Sequence, residues 1–192
     1  MARAQAWRKG QRSQLDRAES SGENGFVMST IPSIRLAGEG DLATINAIYN
    51  HYVLCSTCTY QVTPESDEAR LNWFRQRSEV HPVTVAEINR EVVGWASLNR
   101  YHAREAYART VDNSIYVRHD WQRRGIGRAL LDDLIVRARQ LGHHTILAGV
   151  SAEQTASVAL HEAFGFQPAA HFRELGFKHG QWLDVVYFQL ML

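Results

Sequence analysis

The chain has little charge imbalance, few cysteines and no long apolar run, and each shortage removes a class of function. Over 192 residues, 21 Lys and Arg stand against 20 Asp and Glu, a formal net charge of +1. A balance this near neutral gives no case for a nucleic-acid or membrane partner. No stretch reaches the roughly 18 consecutive apolar residues of a membrane-spanning helix. Two cysteines are too few for a disulfide framework, so the chain reads as cytoplasmic. They form a C-x-x-C at Cys55-Ser56-Thr57-Cys58. A tetrahedral zinc site needs a second such pair or an H-x-x-x-H, and neither is present. A thioredoxin-like unit to make the pair redox-active is also missing, so no metal is predicted. Neither common nucleotide fingerprint is complete. Leu130 stands where a dinucleotide motif needs its third glycine, and no Gly-Lys-Ser/Thr triplet ends a phosphate loop. No internal repeat is found.

What remains is an ordinary globular composition, 45% hydrophobic. The length suits one α/β domain with a tail and is enough to bury a substantial core. Residues 1–30 are rich in Arg, Ser, Gln, Ala and Gly and read as a disordered extension, with the domain over 31–192. Met28 makes a natural start for that domain, which suggests a mis-assigned start codon or a dispensable extension. Asp16, Glu19 and Glu23 argue against a transit peptide.

Within the domain the pattern predicts a strand at Ile34–Leu36, then a helix capped by Asp41 with Leu42, Ile45, Ile48, Tyr49 and Tyr52 on its apolar face. Leu54–Val62 reads as a loop or bent segment. Thr63-Pro64 and Ser66 open a second helix, whose contacts are Leu71, Trp73 and Phe74. Val83–Ile88 and Glu91–Asn99 are strands joined by a turn at Asn89-Arg90, so part of the sheet is antiparallel. A polar connection, Arg100–Arg109, leads to a strand from Asp112 to Val117. A helix carrying Ile126, Leu130, Leu134, Ile135, Ala138 and Leu141 ends at Gly142. Thr145–Val150 is a buried strand, Thr155–Phe164 a helix ending at Gly165, and Phe166–Leu192 holds two more strands. The five tryptophans are expected mostly in the core, with Trp182 near a pocket or subunit interface. His143 and His144 are expected as surface polar residues.

Chemistry concentrates between Val111 and Leu131, VDNSIYVRHDWQRRGIGRALL. A strand runs into a loop, Gln122-Arg123-Arg124-Gly125-Ile126-Gly127, that opens a helix. Such a loop turns several backbone N–H groups toward one point, and the helix behind it adds its unpaired N–H groups and positive dipole end. Together they seat a phosphate or pyrophosphate. Gly125 and Gly127 let the anion approach the backbone, and Arg123, Arg124 and Arg128 surround it with positive charge. The bland alternative is a glycine-rich helix start with solvated arginines.

With the incomplete fingerprints set aside, the loop resembles the R/Q-x-x-G-x-G/A loop of the GNAT acyltransferases. The segments IYNHYV with STCTY, VVGWASL, TVDNSIYV with QRRGIGRALL, ASVALHEAFGF and LGFKHGQWLDVVYFQ carry the likeness further. The chain resembles the phosphinothricin N-acetyltransferase group of that family, which also acetylates methionine sulfoximine. The resemblance implies a GNAT fold: a mixed, mostly antiparallel central sheet flanked by helices, with splayed central strands that hold the coenzyme. It implies acetyl-coenzyme A as cosubstrate, no metal, and a homodimer. Backbone groups of Ile115, Tyr116 and Val117 are expected to bind the coenzyme. Gln122, Arg123, Arg124, Gly125, Ile126, Gly127 and Arg128 are expected at its pyrophosphate, with Gln154 as a further contact. Asp112 matches the catalytic glutamate and His161 an active-site histidine. Tyr60, Arg104 and Tyr107 fall on substrate-contacting positions, and His102 stands beside them. Three positions depart from the family: Asp112 for glutamate, His102 for the lysine of one resistance branch, and Gln154 for asparagine.

The implied reaction is direct transfer of acetyl from a thioester to an amine. An ammonium has no lone pair, so a base must first remove a proton, directly or through water. Asp112 is the candidate; its alternative role is a strand-end acid that caps a backbone N–H. The leaving thiolate needs a proton, which His161 is placed to supply or to support by orienting substrate. Its alternative role is a helix histidine satisfied by a backbone carbonyl. The N–H of Tyr116 or Val117 is expected to stabilise charge on the carbonyl oxygen. Arg104 or Arg109 is expected to hold a substrate carboxylate, against the plainer fate of a solvated loop arginine. The lead function is thus an amino-acid N-acetyltransferase. The alternatives are a GNAT enzyme acting on a polyamine, aminoglycoside or protein N-terminus, and a non-catalytic acyl-coenzyme A sensor.

Overall fold

The structure, a computed structural model, describes residues 31–192, and the predicted extension over 1–30 lies outside the described residues. Seven strands form one sheet in the order β1-β2-β3-β4-β5-β7-β6. They are β1 (Ser33–Leu36), β2 (Val83–Ile88), β3 (Glu91–Arg100), β4 (Thr110–Val117), β5 (Thr145–Ser151), β6 (Gln167–Lys178) and β7 (Gln181–Met191). Four α-helices flank it: α1 (Leu42–Cys55), α2 (Asp67–Arg75), α3 (Ile126–Gln140) and α4 (Thr155–Ala163). The element order and the mixed, mostly antiparallel sheet agree with the reading of the sequence.

Alternation along the strands sends side chains to two separate cores. On one face Leu42, Ile45, Ile48 and Tyr52 of α1 pack on Val83, Val85, Val92 and Trp95, with Leu71, Trp73 and Phe74 of α2 partly buried beside them. On the other face Ile126, Leu130, Leu131, Leu134, Ile135 and Ala138 of α3 cover Ala86, Val93, Ala96, Leu98 and Val111. Each fully buried side chain of this size contributes about 1.5–3 kcal/mol. Gly94 lets α3 come this close. A Cβ there would lie 3.0 Å from the Tyr116 carbonyl oxygen and 3.2 Å from both Ile126 and Leu130. The close approach fixes where α3 begins, and so where the loop before it sits.

One strand pair sets up the site. β4 and β5 are parallel, and they pair only at Thr110↔Thr145, Val111↔Ile146 and Asp112↔Leu147. Beyond Asp112 the strands part, while β4 stays paired to β3 up to Val117 and β5 stays paired to β7 up to Ser151. This is the splay that the resemblance implied.

Several local expectations change. Asp41 does not cap α1. It closes a 3-10 turn and its carboxylate turns back to the Gly38 N–H at 2.8 Å and to Arg35. The ion pair and the loop N–H outcompete a cap. Ser66 does cap α2, accepting from the Ala69 N–H at 3.1 Å. His143 is buried rather than at the surface, with Nε2 2.7 Å from the Val80 carbonyl. The turn at Gly142 folds it back against the loop before β2. Of the described tryptophans, Trp95 is buried, Trp73 and Trp121 are half-buried, and Trp182 is 60% exposed.

Candidate active site

The parting of β4 from β5 leaves backbone groups with no strand partner. Arg118 N–H donates to the Val93 carbonyl across β3. In an antiparallel pair the groups of alternate residues point to the same neighbour. Those of Asp112, Ser114 and Tyr116 therefore face β3, and those of Asn113, Ile115 and Val117 face the gap. So Ile115 offers its backbone N–H and C=O, and Val117 its N–H, to a ligand in the gap, the Val117 carbonyl being taken by the Tyr52 hydroxyl, whereas Tyr116 offers neither. The Tyr116 side chain is buried against Trp95, stacked at 4.9 Å, and edge-on to Tyr49 at 5.2 Å. Its contribution is to hold the strand.

At the end of the gap lies the loop that leads into α3. Arg123 (φ 60°) and Gly125 (φ 79°) both take the left-handed conformation, and Gly125 sits at the N-cap of α3 without a side-chain cap. The first N–H groups of the helix are thus left for an external acceptor. Gly127 adds a second indication. A Cβ there would meet only Leu160 at 3.5 Å and Val117 at 3.8 Å, ordinary contacts, so packing within the chain does not explain the glycine. Gln122 works indirectly: its Nε2 donates to the Tyr52 hydroxyl at 2.7 Å, which in turn donates to the Val117 carbonyl. This tie fixes the loop to the end of β4. Arg124 stacks on Trp121 and Arg128 on Phe164, at 4.6 and 4.9 Å. Gln154, at the N-cap of α4, donates to Thr57 Oγ1 at 2.9 Å and anchors the segment that carries Tyr60.

Asp112 stands at the point of the split. It is half-buried, its Oδ1 is buried with no hydrogen-bond partner, and burial lifts its pKa to about 6. An acid that only capped a backbone N–H would have a partner and a low pKa. On the same face, Tyr187 of β7 lies opposite Gly149 of β5, and its ring fills the place of a Cβ there. The Tyr187 pKa is raised by burial and by the nearby Asp112 charge. Tyr60 closes this side, its hydroxyl 3.0 Å from Ser151 Oγ.

His161 is elsewhere. It is 4% exposed and lies on the α3/α4 side of the sheet. Its Nδ1 is 2.8 Å from the Ser157 carbonyl and its Nε2 2.9 Å from Asn113 Nδ2. These partners fix the Nδ1–H tautomer, with Nε2 accepting, and burial lowers the pKa. The second of its two expected roles, a helix histidine satisfied by a carbonyl, describes this geometry.

Three of the residues expected on the substrate side, His102, Arg104 and Tyr107, group in the connection from β3 to β4. Tyr107 packs against Tyr101 at 5.6 Å and His102 at 5.1 Å, and His102 Nδ1 accepts the Arg104 N–H at 3.1 Å. The Arg104 side chain is exposed beside them. A cavity of about 210 Å³ opens on the α1/α2 side, lined by residues that include Arg70, Trp95, Ser114 and Tyr116. Reading the sequence did not pick out Arg70 or Trp95. Among the described residues no cluster of metal-ligating side chains occurs, and both cysteines are free thiols.

Residues 45–166 match the sequence model of the acetyltransferase (GNAT) family. An L-amino acid N-acyltransferase of Escherichia coli is 38% identical over 83% of this chain and 94% of its own length. An L-methionine sulfoximine/L-methionine sulfone acetyltransferase of Salmonella typhimurium is 37% identical over the same shares. The crystal structure of a phosphinothricin acetyltransferase from Sinorhizobium meliloti in complex with acetyl-coenzyme A superposes with a TM-score of 0.82. It is 35% identical, over 84% of this chain and 89% of that one.

Proposed function

The chain belongs to the acetyltransferase (GNAT) family, and from that premise we propose that it moves acetyl from acetyl-coenzyme A to the amine of a small amino acid or its sulfone, sulfoximine or phosphinate analogue. The observation that carries this reading is the buried, unpartnered Oδ1 of Asp112 at the point where β4 and β5 part. The gap supplies unpaired strand edge for an extended pantetheine arm, and the Gly125–Gly127 backbone with the α3 N-terminus suits its pyrophosphate. The cosubstrate contributes an acetyl group activated as a thioester.

The residues of the chain do the rest. Asp112, mostly ionised at neutral pH with a pKa of about 6, takes the proton from the incoming ammonium, directly or through one water. The N–H of Val117 or Ile115 faces the gap and meets charge that develops on the carbonyl oxygen. Arg104 holds the substrate carboxylate, with His102 and Tyr107 shaping its loop. His161 acts by holding Asn113 at the wall of the gap. The protein works in the cytoplasm, in keeping with its two free thiols. Phe172, Leu175, Phe177 and Trp182, each 46–60% exposed on the β6–β7 hairpin, form an apolar face suited to a homodimer.

The experiment is release of free coenzyme A thiol across methionine sulfone, methionine sulfoximine, phosphinothricin, the common amino acids, a polyamine and an N-terminal peptide. Turnover of the amino acids and analogues is expected. Turnover confined to the polyamine or peptide would replace the substrate class. Binding of acetyl-coenzyme A without turnover of any amine would leave a sensor.

A further inference from the structure

The buried pair of His161 and Asn113 has a direction built into it. The Ser157 carbonyl, 2.8 Å from His161 Nδ1, can only accept, so Nδ1 carries the proton and Nε2 is left as an acceptor. Asn113 must therefore turn its Nδ2 group to Nε2, at 2.9 Å. Its Oδ1 is turned the other way and has no hydrogen-bond partner among the described residues. The imidazole cannot swing to relax this arrangement. It is 4% exposed and stands edge-on to Phe166, with ring centres 5.0 Å apart.

Asn113 stands where a bound coenzyme has to cross the sheet. The glycine loop opens α3, whose Ile126 belongs to the core on the α3/α4 side, whereas Asp112 faces the α1/α2 side. A coenzyme anchored at the loop and reacting beside Asp112 passes through the gap, which closes at the Asp112↔Leu147 pair. Val117, Ile115 and Asn113 alternate along β4 on the α3/α4 side, where Leu98, the partner of Asn113, is also buried. The row begins at the loop, since a Cβ on Gly127 would lie 3.8 Å from Val117 and 3.5 Å from Leu160 of α4. Its first members are apolar. Asn113, the last before the gap closes, is polar.

The pantetheine arm carries a matching order of groups. A dimethyl carbon follows the pyrophosphate, then come two amides, the inner one two carbons from the sulfur. With the sulfur beside Asp112, the inner amide is level with Asn113. On the reading above, in which acetyl-coenzyme A lies in the gap, we propose that Asn113 Oδ1 accepts the N–H of the inner pantetheine amide, and that His161 is the positioning residue that keeps this oxygen turned toward the coenzyme. The Ile115 backbone is left for the outer amide. Without the acceptor at His161 Nε2, the Asn113 carboxamide is free to turn over and meet the amide N–H donor to donor.

The test is calorimetric titration of the wild type, Asn113→Leu and His161→Leu with two ligands, acetyl-coenzyme A and 3′-phospho-ADP, which keeps the pyrophosphate and lacks the arm. Melting temperature is recorded for each protein. The wild type should bind acetyl-coenzyme A more tightly, and each variant should lower that advantage about three- to tenfold through acetyl-coenzyme A alone. A merely structural role weakens both ligands together, and an unchanged advantage overturns the proposal. If the variants do not fold, the carbon-13 signal of the Asn113 side-chain carbonyl in the wild type decides. It should move downfield with acetyl-coenzyme A and stay in place with 3′-phospho-ADP, and identical shifts overturn the proposal. A wild type that binds both ligands equally overturns the placing of the arm in the gap as well, and is distinct from an advantage that the variants leave intact.

Discussion

Asp112 and His161 lie on opposite faces of the sheet, and the residue that meets His161 Nε2 is Asn113, at 2.9 Å. Neighbours on a strand point opposite ways, so the carboxylate and the imidazole do not form an acid–base couple. His161 is predicted to act through Asn113. His161→Gln should lower kcat several-fold and destabilise the fold by about 1–3 kcal/mol, since two buried partners lose their bond. The acid limb of the pH–rate profile should stay in place. If the variant abolishes a basic limb that the wild type shows, His161 is a proton donor instead.

The acid limb itself belongs to Asp112. A base must be ionised to act, and burial sets this carboxyl at about 6. In the wild type, kcat/KM is expected to rise with pH and level off above about 6. Asp112→Asn should cost about 10²–10⁴-fold in kcat and remove that limb. Asp112→Glu keeps a carboxylate at the split and should retain the limb, shifted by its new depth. Rates measured with methionine sulfone from pH 5 to about 9 check all three, a range that brackets the titration.

The same burial has a stability consequence of opposite sign. The Asp112 pKa is raised from 3.8 to about 6, so the folded state binds the proton more tightly than the unfolded chain. Protonation stabilises the fold at low pH, and that advantage is lost as pH rises from about 4 through about 6. At neutral pH the ionised carboxylate is a burden of up to about 3 kcal/mol. Asp112→Asn should therefore melt higher than the wild type at neutral pH while losing activity, and the gap should shrink toward pH 4. Scanning calorimetry across that range measures it. An equal melting temperature at both ends would mean that solvent reaches the carboxylate.

The sequence made much of the fold legible because its cues are local. The helical repeat from Ile126 to Leu141, the Asn89-Arg90 turn (φ 51° and 66°) and Gly142 (φ 76°) each sit within a few residues of what they determine. The glycine loop was legible for the same reason. The cavity beside Asp112 was not. Arg70, Trp95 and Ser114 come from α2, β3 and β4, and each alone reads as a helix cation, a core aromatic or a strand serine. Only the Ser97↔Ser114 register and the packing of α2 bring them together. His143 was misread because nothing near it in sequence shows that the Val80 carbonyl waits across the fold.

The two loop glycines should separate folding from binding. Gly125 has φ 79° with open space around it, so alanine there strains the backbone and should cost about 1 kcal/mol of stability. Gly127 has no such demand, and an added methyl would make only ordinary contacts at 3.5 Å and 3.8 Å. Gly127→Ala should thus fold and melt like the wild type, yet bind acetyl-coenzyme A at least about tenfold more weakly, because the methyl occupies the approach to the α3 N–H groups. Calorimetric titration with acetyl-coenzyme A, paired with a melting curve, distinguishes the two. Unchanged affinity in Gly127→Ala would place the pyrophosphate away from this backbone and leave the loop's arginines as its main hold.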